Sequence, residues 1–312
     1  MRISASIFHS PVFKSYWAAL ALLFVLSFVS RAAQAQSLGY EGPTGVFVTP
    51  LAYTSASPVN GLGKPSVSYH FLAGGPVIGD FSTVSITEGF AKRFELGYTS
   101  EIHAGAFKLP LQGYSGSQIK PADIGIVHGK ATLVAENAGK TKWVPAIAVG
   151  GIYRFHDNYV YDGASLSSGG TQSTSNGDIY VVATKTVTQI SKKVPVLLSG
   201  GLRGTDASLW GLGGNAPGFS ARGFGALALV FTGPGKSAII LASEVSQQPQ
   251  KIKLGLSSGL DVPTSEVYAV RVVPSPNHKF NLDAGILHAG GGIGGVNINA
   301  RARVAFGISY GF

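Results

Sequence analysis

Hydrophobic and polar residues alternate strictly in the last twelve residues of the chain. The even positions from Ala302 to Phe312 are apolar, with aromatic residues towards the end, whereas the odd positions from Arg301 to Gly311 are small or polar. A period of two places successive side chains on opposite faces of a β-strand, and an α-helix does not keep it. The pattern therefore predicts an amphipathic strand with one apolar face.

The same alternation recurs along the chain and predicts twelve strands. Phe94, Leu96 and Tyr98 share one face, for example, opposite Glu95 and Gly97. The predicted strands span residues 66–74, 80–89, 93–102, 122–135, 143–155, 177–187, 195–204, 222–232, 237–246, 266–274, 279–288 and 299–312. Three apolar runs predict strands without showing which face points inward: 179–187, 196–203 and 224–232.

The connections between the predicted strands alternate in length. Those after even-numbered strands are short, and those after strands 3, 5, 7 and 9 are long: 105–121, 156–176, 205–221 and 247–265. Residues 289–298 form an intermediate connection, and the short first one, 75–79, breaks the rule. Transmembrane barrels have short periplasmic turns and longer outer loops, whereas a soluble sandwich has no reason to alternate. An even strand number also places both chain ends on the periplasmic side.

The composition agrees with a barrel rather than with membrane helices. The chain is 45% hydrophobic and 12% charged, and its mean hydropathy is +0.25. Its only long apolar run, Trp17 to Val29, is shorter than the roughly 20 residues of a spanning helix. In lipid every backbone polar group needs an internal partner, which a closed sheet provides. We therefore predict an all-β fold: a closed antiparallel transmembrane β-barrel of about twelve strands, within a range of roughly ten to fourteen.

The N-terminus predicts a cleaved secretory signal peptide over residues 1–35. Arg2 and Lys14 precede the apolar run, and Ala33 and Ala35 form a small-x-small cleavage site. Export with a barrel places the protein in the bacterial outer membrane. Residues 36–64 do not fit the strand template, and we expect a periplasmic lead, a lumen plug or an additional strand there. Residues 65–312 form the predicted barrel.

Charged residues on the polar phase of the strands are the candidate functional groups, because they point into the predicted lumen. They are Glu95, Lys130, Arg154, Arg203, Glu244, Arg271, Asp283, Arg301 and Arg303. Six are basic and three are acidic, and the whole chain carries a formal charge of +9. One interpretation is a salt-bridged lining, because a buried unpaired charge is costly. The other is a weakly anion-favouring pore or a binding site for an acidic saccharide. The positive charge also suits contact with lipopolysaccharide.

Motifs for other chemistry are weak or absent. The chain has no Cys, which excludes a disulfide scaffold, a Cys-ligated zinc site and a cysteine nucleophile. Its seven His residues form no H-x-x-x-H pair. The G-x-G-x-x-G sequence at Gly290–Gly295 precedes a predicted strand rather than a helix, so it predicts a loop. We expect no cofactor, no metal and no nucleic-acid partner.

The C-terminal strand resembles that of Gram-negative outer-membrane β-barrels, which end on Phe after alternating apolar positions. The resemblance implies that the barrel-assembly machinery reads this segment as an insertion signal, carried here by Val304, Phe306, Ile308, Tyr310 and Phe312. Gly42–Ala52, with Phe94–Tyr98, also resembles the start of YjbH-type outer-membrane proteins linked to exopolysaccharide export. Those proteins are larger than this chain, and the resemblance covers about a fifth of it.

Three functions follow as hypotheses. The first is a passive channel or export-associated pore for small or anionic solutes or saccharides. The second is a structural or adhesive barrel whose lumen is closed by side chains and residues 36–64. The third is a lipid-modifying enzyme, although the His-x-Ser spacing of barrel phospholipases and the Asp-x-His of barrel proteases do not occur here. We favour a protein that is not an enzyme.

Overall fold

The computed structural model describes residues 37–75, 79–104, 122–156, 175–188, 193–209, 213–249, 260–274, 279–293, 296–298 and 300–312. Twelve long antiparallel strands close into one barrel. We number them β1 (Ser66–Ala73), β2 (Asp80–Phe90), β3 (Phe94–Ala104), β4 (Ala122–Val134), β5 (Ala146–Phe155), β6 (Asn176–Val187), β7 (Val196–Leu209), β8 (Gly213–Thr232), β9 (Ala238–Gln247), β10 (Thr264–Val273), β11 (Phe280–Ala289) and β12 (Ala300–Gly311). The predicted fold class and strand number are confirmed.

The first and last strands form the seam that closes the barrel. Each strand pairs with its neighbours in the sequence, and β12 pairs with β1 from Ala305↔Leu72 to Gly311↔Ser66. Closure leaves no unpaired sheet edge, which is the requirement for strands that cross a bilayer.

Side chains alternate between the outside and the lumen, as β2 illustrates. Phe81, Thr83, Ser85 and Thr87 are buried, whereas the residues between them include exposed Val84 and Ile86. The large apolar residues of the other strands follow the same rule, with Leu96 67% and Ile179 68% exposed. The alternation also resolves the three ambiguous runs: Asp178, Arg203 and Phe224 point inward, and Val181, Leu202 and Leu227 point outward.

The connections hold the remaining regular elements. Two 3-10 turns, Ala138–Lys140 and Pro234–Lys236, lie in short connections. A small sheet joins Leu260–Asp261, Gly292–Ile293 and Val296–Asn297, and a two-stranded ladder joins Ser37–Leu38 to Thr44–Gly45. None of the described helices is long and apolar enough to span a membrane. The predicted loop 105–121, residues 157–174 of the predicted loop 156–176, and the predicted signal peptide, including Ala33 and Ala35, lie outside the described residues.

One predicted long loop is wrong. Residues 205–209 continue β7 and residues 213–221 belong to β8, pairing Ala207 with Asn215 and Thr205 with Ser220 across a register shift. A polar ladder can extend past the apolar band because strand pairing there needs only backbone hydrogen bonds.

The outer surface allows a direct test of lipid contact. Val181 lies near the middle of β6, opposite Val149 on β5 and Leu202 on β7, and all three side chains are exposed. We expect Val181→Arg to lower the free energy of unfolding by about 2–4 kcal/mol, the cost of a charge at the bilayer midplane. Denaturant unfolding in lipid vesicles measures the loss, with Val181→Leu as the control. If Val181→Arg were as stable as Val181→Leu, these three outward-facing side chains would lie outside the hydrocarbon core of the bilayer.

Candidate functional site

The interior of the barrel contains the segment Ser37–Ser55, which we call the plug. All of its residues are buried or half-buried. Tyr40 and Phe47 pack against His70 of β1, with ring centroids 6.4 and 5.3 Å away. Gly42 has φ of 101°, and a Cβ there would lie 2.5 Å from Thr99 Oγ1. Only glycine fits this close approach to the wall without a shift.

Glu41 of the plug binds a pair of arginines on the wall. Arg154 of β5 donates from Nε to Glu41 Oε1 at 3.0 Å, and Arg203 of β7 donates from Nη2 to Oε2 at 2.7 Å. Asp178 of β6 lies between them and accepts from Arg154 Nη2 at 2.5 Å and from Arg203 Nε at 3.0 Å. Arg154 Nη1 also donates to Asn176 at 2.9 Å. Both arginine side chains are 1% exposed, so water screens these ion pairs little.

The second contact centres on Glu95 of β3 and Lys130 of β4, which are opposite each other in the register. Lys130 Nζ lies 2.8 Å from Glu95 Oε1 and donates to the Thr44 carbonyl at 2.9 Å. Glu95 accepts from the Thr44 amide at 2.9 Å, from the Thr44 hydroxyl at 2.7 Å and from the Ser55 amide at 2.8 Å. This wall ion pair therefore holds both the middle and the end of the plug.

The third contact is a carboxylate bound by consecutive backbone amides. Glu244 of β9 accepts from the amides of Phe47 at 2.8 Å, Val48 at 3.1 Å and Thr49 at 2.6 Å. The Thr49 hydroxyl donates to the same carboxylate. Successive amides that converge on one anion form a concave binding site of the kind known as a nest. Here the plug supplies the nest and the wall supplies the anion.

The fourth contact joins the plug backbone to Arg271 of β10 and Asp283 of β11. These two are opposite each other in the register, and Arg271 Nε donates to Asp283 Oδ1 at 2.6 Å. Arg271 also donates to the carbonyls of Gly45 and Val46. The guanidinium therefore supplies hydrogen-bond donors to two backbone carbonyls inside the barrel.

The end of the plug meets the rim of the barrel. Tyr53 donates its hydroxyl to Glu136 at 2.8 Å, and Lys185 of β6 pairs with the same carboxylate at 2.9 Å. Burial, and then the negative charge of Glu136, raise the pKa of the Tyr53 hydroxyl well above its usual value. The phenol therefore stays a hydrogen-bond donor throughout the physiological pH range.

Seven of the nine predicted lumen charges are buried in the interior: Glu95, Lys130, Arg154, Arg203, Glu244, Arg271 and Asp283. Arg303 is half-buried, and the placement predicted for Arg301 is wrong because its side chain is exposed. A bulge with a positive φ of 51° at Ala302 inserts one residue into β12, so Ala300 rather than Arg301 takes the inward phase.

The predicted excess of positive charge in the lumen is also wrong for the part of the chain that the structure describes. Its buried basic side chains are Lys130, Arg154, Arg203 and Arg271, and its buried acidic ones are Glu41, Glu95, Glu101, Asp178, Glu244 and Asp283. Sequence reasoning missed Asp178 because the phase of its strand was ambiguous, and missed Glu41 because the plug has no strand period. Within the described ranges, no group of His, Asp or Glu side chains could hold a metal ion.

The outward positions of β12 carry the residues of the predicted insertion signal. Val304, Phe306, Tyr310 and Phe312 are exposed, and Ile308 is half-buried. Their role in insertion stays a prediction.

The closed barrel with an apolar exterior and a polar, plugged interior defines the class of protein as a transmembrane β-barrel. Residues 41–261 match the family described as "Protein of unknown function (DUF3034)". The match covers more than half of the chain, so the chain belongs to this family. It begins at Glu41, so the family region includes most of the plug as well as nine complete strands, β1 to β9.

Comparison with solved structures finds similar chains at low identity. The KdgM porin in complex with disordered oligogalacturonate is 10% identical, with a TM-score of 0.43, over 79% of this chain and 99% of that one. The NanC porin is 7% identical, with a TM-score of 0.43, over 80% and 98%. The translocator domain of autotransporter NalP from Neisseria meningitidis is 13% identical, with a TM-score of 0.41, over 83% and 90%. No curated protein matches the sequence. The resemblance to YjbH-type proteins stays a prediction.

Proposed function

We propose that this protein is an outer-membrane channel whose lumen is closed at rest by its own N-terminal plug. The observation that carries the proposal is the set of polar contacts between the plug and the wall. They come from β2 to β7 and from β9, β10 and β12, so the plug meets most of the circumference. A segment bound to most of the wall supports a lumen that is closed to solutes at rest.

The nature of these contacts supports a plug that can move. The plug makes apolar contacts with the wall, but it is also joined to it by many hydrogen bonds and ion pairs, and water or ions can replace these polar partners once a pore opens. Its sequence from Gly42 to Pro50 is rich in Gly, Pro and Thr and carries no charged side chain. Glu41 is the one plug residue with a charged side chain. Displacement of the plug would therefore remove only one charged group from the wall.

Deleting the plug tests the proposal. We expect the full-length mature chain to give almost no current in a planar bilayer, and a variant lacking residues 37–55 to give discrete conductance steps. A heat-modifiability gel must first show that the shortened barrel is folded, because folded barrels resist SDS until boiled. A folded variant without current would overturn the channel proposal.

A second candidate is a permanently closed structural or adhesive barrel. The direct pairing of Glu95 with Lys130 and of Arg271 with Asp283 favours it, because paired wall charges also stiffen a barrel. A permanently closed barrel differs from a plugged channel in one expected result: no variant that weakens the contacts between plug and wall would conduct. A lipase or deacylase assay on the same protein tests the remaining hypothesis, an outer-membrane lipid-modifying enzyme.

Location and partners are part of the proposal. The exposed apolar band supports residence in the outer membrane, with lipid and lipopolysaccharide as its surroundings. We expect the barrel-assembly machinery to insert the chain by reading β12. Membrane fractionation tests the location: recovery of the protein in the soluble periplasm, running identically before and after heating, would contradict it.

A further inference from the structure

A patch of polar side chains lies on the inner wall where the first and last strands meet. It consists of two neighbouring rows of inward-facing residues, which the strand register places side by side. The first row is Ser85, Ser68, Ser309 and Asn281, and the second is Thr83, His70, Gly307 and Asp283, each across β2, β1, β12 and β11. We call these eight residues the seam patch. All of them are buried inside the barrel.

Some polar groups of the seam patch are left without hydrogen bonds when the barrel is closed. Within the part of the chain that the structure describes, Ser68 Oγ, Thr83 Oγ1 and Asn281 Oδ1 have no hydrogen-bond partner. These three side chains belong to residues that are at most 5% exposed. A buried polar atom without a partner is costly, and folded proteins keep few of them. Three in one patch therefore indicate side chains arranged for a partner other than the plug.

The plug covers the seam patch partly with aromatic rings. Phe47 packs edge-on against the ring of His70 at 5.3 Å, and the ring of Tyr40 lies 6.4 Å away. A phenylalanine ring shields polar neighbours from water but forms no conventional hydrogen bond with them. Ser37 does bind Ser309 at one end of the patch, through their hydroxyl groups.

Other hydroxyl groups of the wall are matched to the plug. Thr87 lies four residues after Thr83 on the same inward face of β2, and it donates to the Gly42 carbonyl at 2.9 Å. Thr132 of β4 donates in the same way to the Ala52 carbonyl at 2.8 Å. The wall can therefore pair its hydroxyl groups with the plug backbone, and the seam patch differs in leaving some of them unpaired.

The chemistry of the seam patch suits a neutral ligand with several hydroxyl groups. Serine and threonine hydroxyls both donate and accept hydrogen bonds, and an asparagine Oδ1 accepts them. The hydroxyl groups of a sugar have the same double capacity. Asp283, the charged member of the patch, is already paired with Arg271 on β10 at 2.6 Å. The unpartnered atoms therefore ask for hydrogen bonds rather than for a counter-charge.

We infer that Ser68, Thr83 and Asn281 form a binding site for the hydroxyl groups of a neutral sugar, which the plug covers at rest and which opens when the plug is displaced. The inference rests on the proposed function in one respect, that the plug can move. Because the sugar binds the barrel with its plug displaced, it increases the population of that state.

The reaction of a plug cysteine with a membrane-impermeant maleimide tests the site. The chain has no Cys, so Val46→Cys introduces a single thiol at a plug position that is 5% exposed. In the folded, full-length mature chain in detergent micelles, this thiol should react when the plug is displaced. We expect about 0.5 M D-glucose to speed the reaction roughly sixfold, for a dissociation constant of about 100 mM. Glycine betaine at the same osmolality should not speed it.

Three substitutions on β2, each combined with Val46→Cys, separate ligand binding from a structural role. Thr83→Val keeps the shape of the side chain and removes an unpartnered hydroxyl, so it should slow the reaction in the absence of sugar. It should also reduce the effect of D-glucose to about twofold, since one hydrogen bond is worth roughly a fivefold change in affinity. Thr83→Ser should restore that effect. Thr87→Val removes a hydroxyl that binds the plug, so it should speed the reaction without sugar.

The outcomes separate this inference from the proposed function. The cysteine reaction needs no current, so acceleration by D-glucose that Thr83→Val reduces supports the site even if the barrel never conducts. Val48→Cys provides a second plug position if Val46→Cys does not fold. If D-glucose acts no differently from glycine betaine at either position, the site is overturned, even if deletion of the plug opens a channel. Thr83→Val that speeds the reaction as Thr87→Val does would also overturn it, because Thr83 would then hold the plug.

Discussion

The Glu244→Ala variant is expected to conduct ions in a planar bilayer under conditions in which the wild-type barrel stays closed. The substitution removes the acceptor of the Phe47, Val48 and Thr49 amides and of the Thr49 hydroxyl. Hydrogen bonds to a charged group are worth about 1.5–3 kcal/mol each. A net loss of only about 3 kcal/mol raises the ratio of open to closed barrels roughly a hundredfold.

Two matched variants identify the cause of such an opening. Glu244→Gln keeps one oxygen acceptor and should open the barrel less often than Glu244→Ala. Glu266→Ala removes an acid from the neighbouring strand β10, where Glu266 accepts from the exposed Tyr268 hydroxyl at 2.7 Å, and should leave the barrel closed. A folded Glu244→Ala barrel as silent as wild type would show that other contacts suffice to keep the plug in place.

The strands could be predicted because lipid imposes a simple rule on them. A wall residue must face either hydrocarbon or the interior, so hydropathy alternates along each strand wherever it crosses the apolar band. The alternation alone is enough to predict strands β3 and β12. It fails for residues 205–209, which pair with residues 213–220 although Thr205, Asp206 and Ala207 show no apolar alternation. Outside the bilayer both faces of a strand contact water, so strand pairing there produces no pattern in the hydropathy of the sequence.

Local geometry limits what a period of two can predict about the charges. Counting by twos along β12 places Arg301 and Arg303 together, but the bulge at Ala302 separates them. The same counting left Asp178 unassigned because Ile179 to Val187 is apolar on both phases at several positions. A single inserted residue reverses the face of everything beyond it, and sequence alone does not reveal such insertions.

The plug could be anticipated only as one of three alternatives for residues 36–64. Its partners are far away in the sequence: Glu41 binds Arg203, and Thr49 binds Glu244. The plug makes no repeating pattern of side-chain contacts, so its sequence has no period to detect. Its position depends on individual contacts between single plug residues and single wall residues. These contacts explain the residues at two plug positions. Gly42 approaches Thr99 closely, and Thr44 donates two hydrogen bonds to Glu95.

The largest loss of stability is expected for Asp178→Ala. Asp178 is the wall's own counter-ion for both Arg154 and Arg203, and its side chain is fully buried. Its removal takes a buried carboxylate from two guanidinium groups, and breaking a buried ion pair costs about 3–5 kcal/mol. Denaturant unfolding in lipid vesicles, followed by tryptophan fluorescence, measures the change.

Asp123→Ala is the matched control for this loss, because Asp123 is an exposed acid near the beginning of β4 and its removal should cost less than about 1 kcal/mol. Asp178→Ala should also strengthen the ion pairs between the two arginines and Glu41. Since Glu41 belongs to the plug, the substitution should then lower the conductance of any variant that opens the barrel. If Asp178→Ala costs no more than Asp123→Ala, then the arginine pair does not depend on Asp178 for its stability. The wall would then need no carboxylate of its own at this point, and the plug would be the main support of β5 to β7.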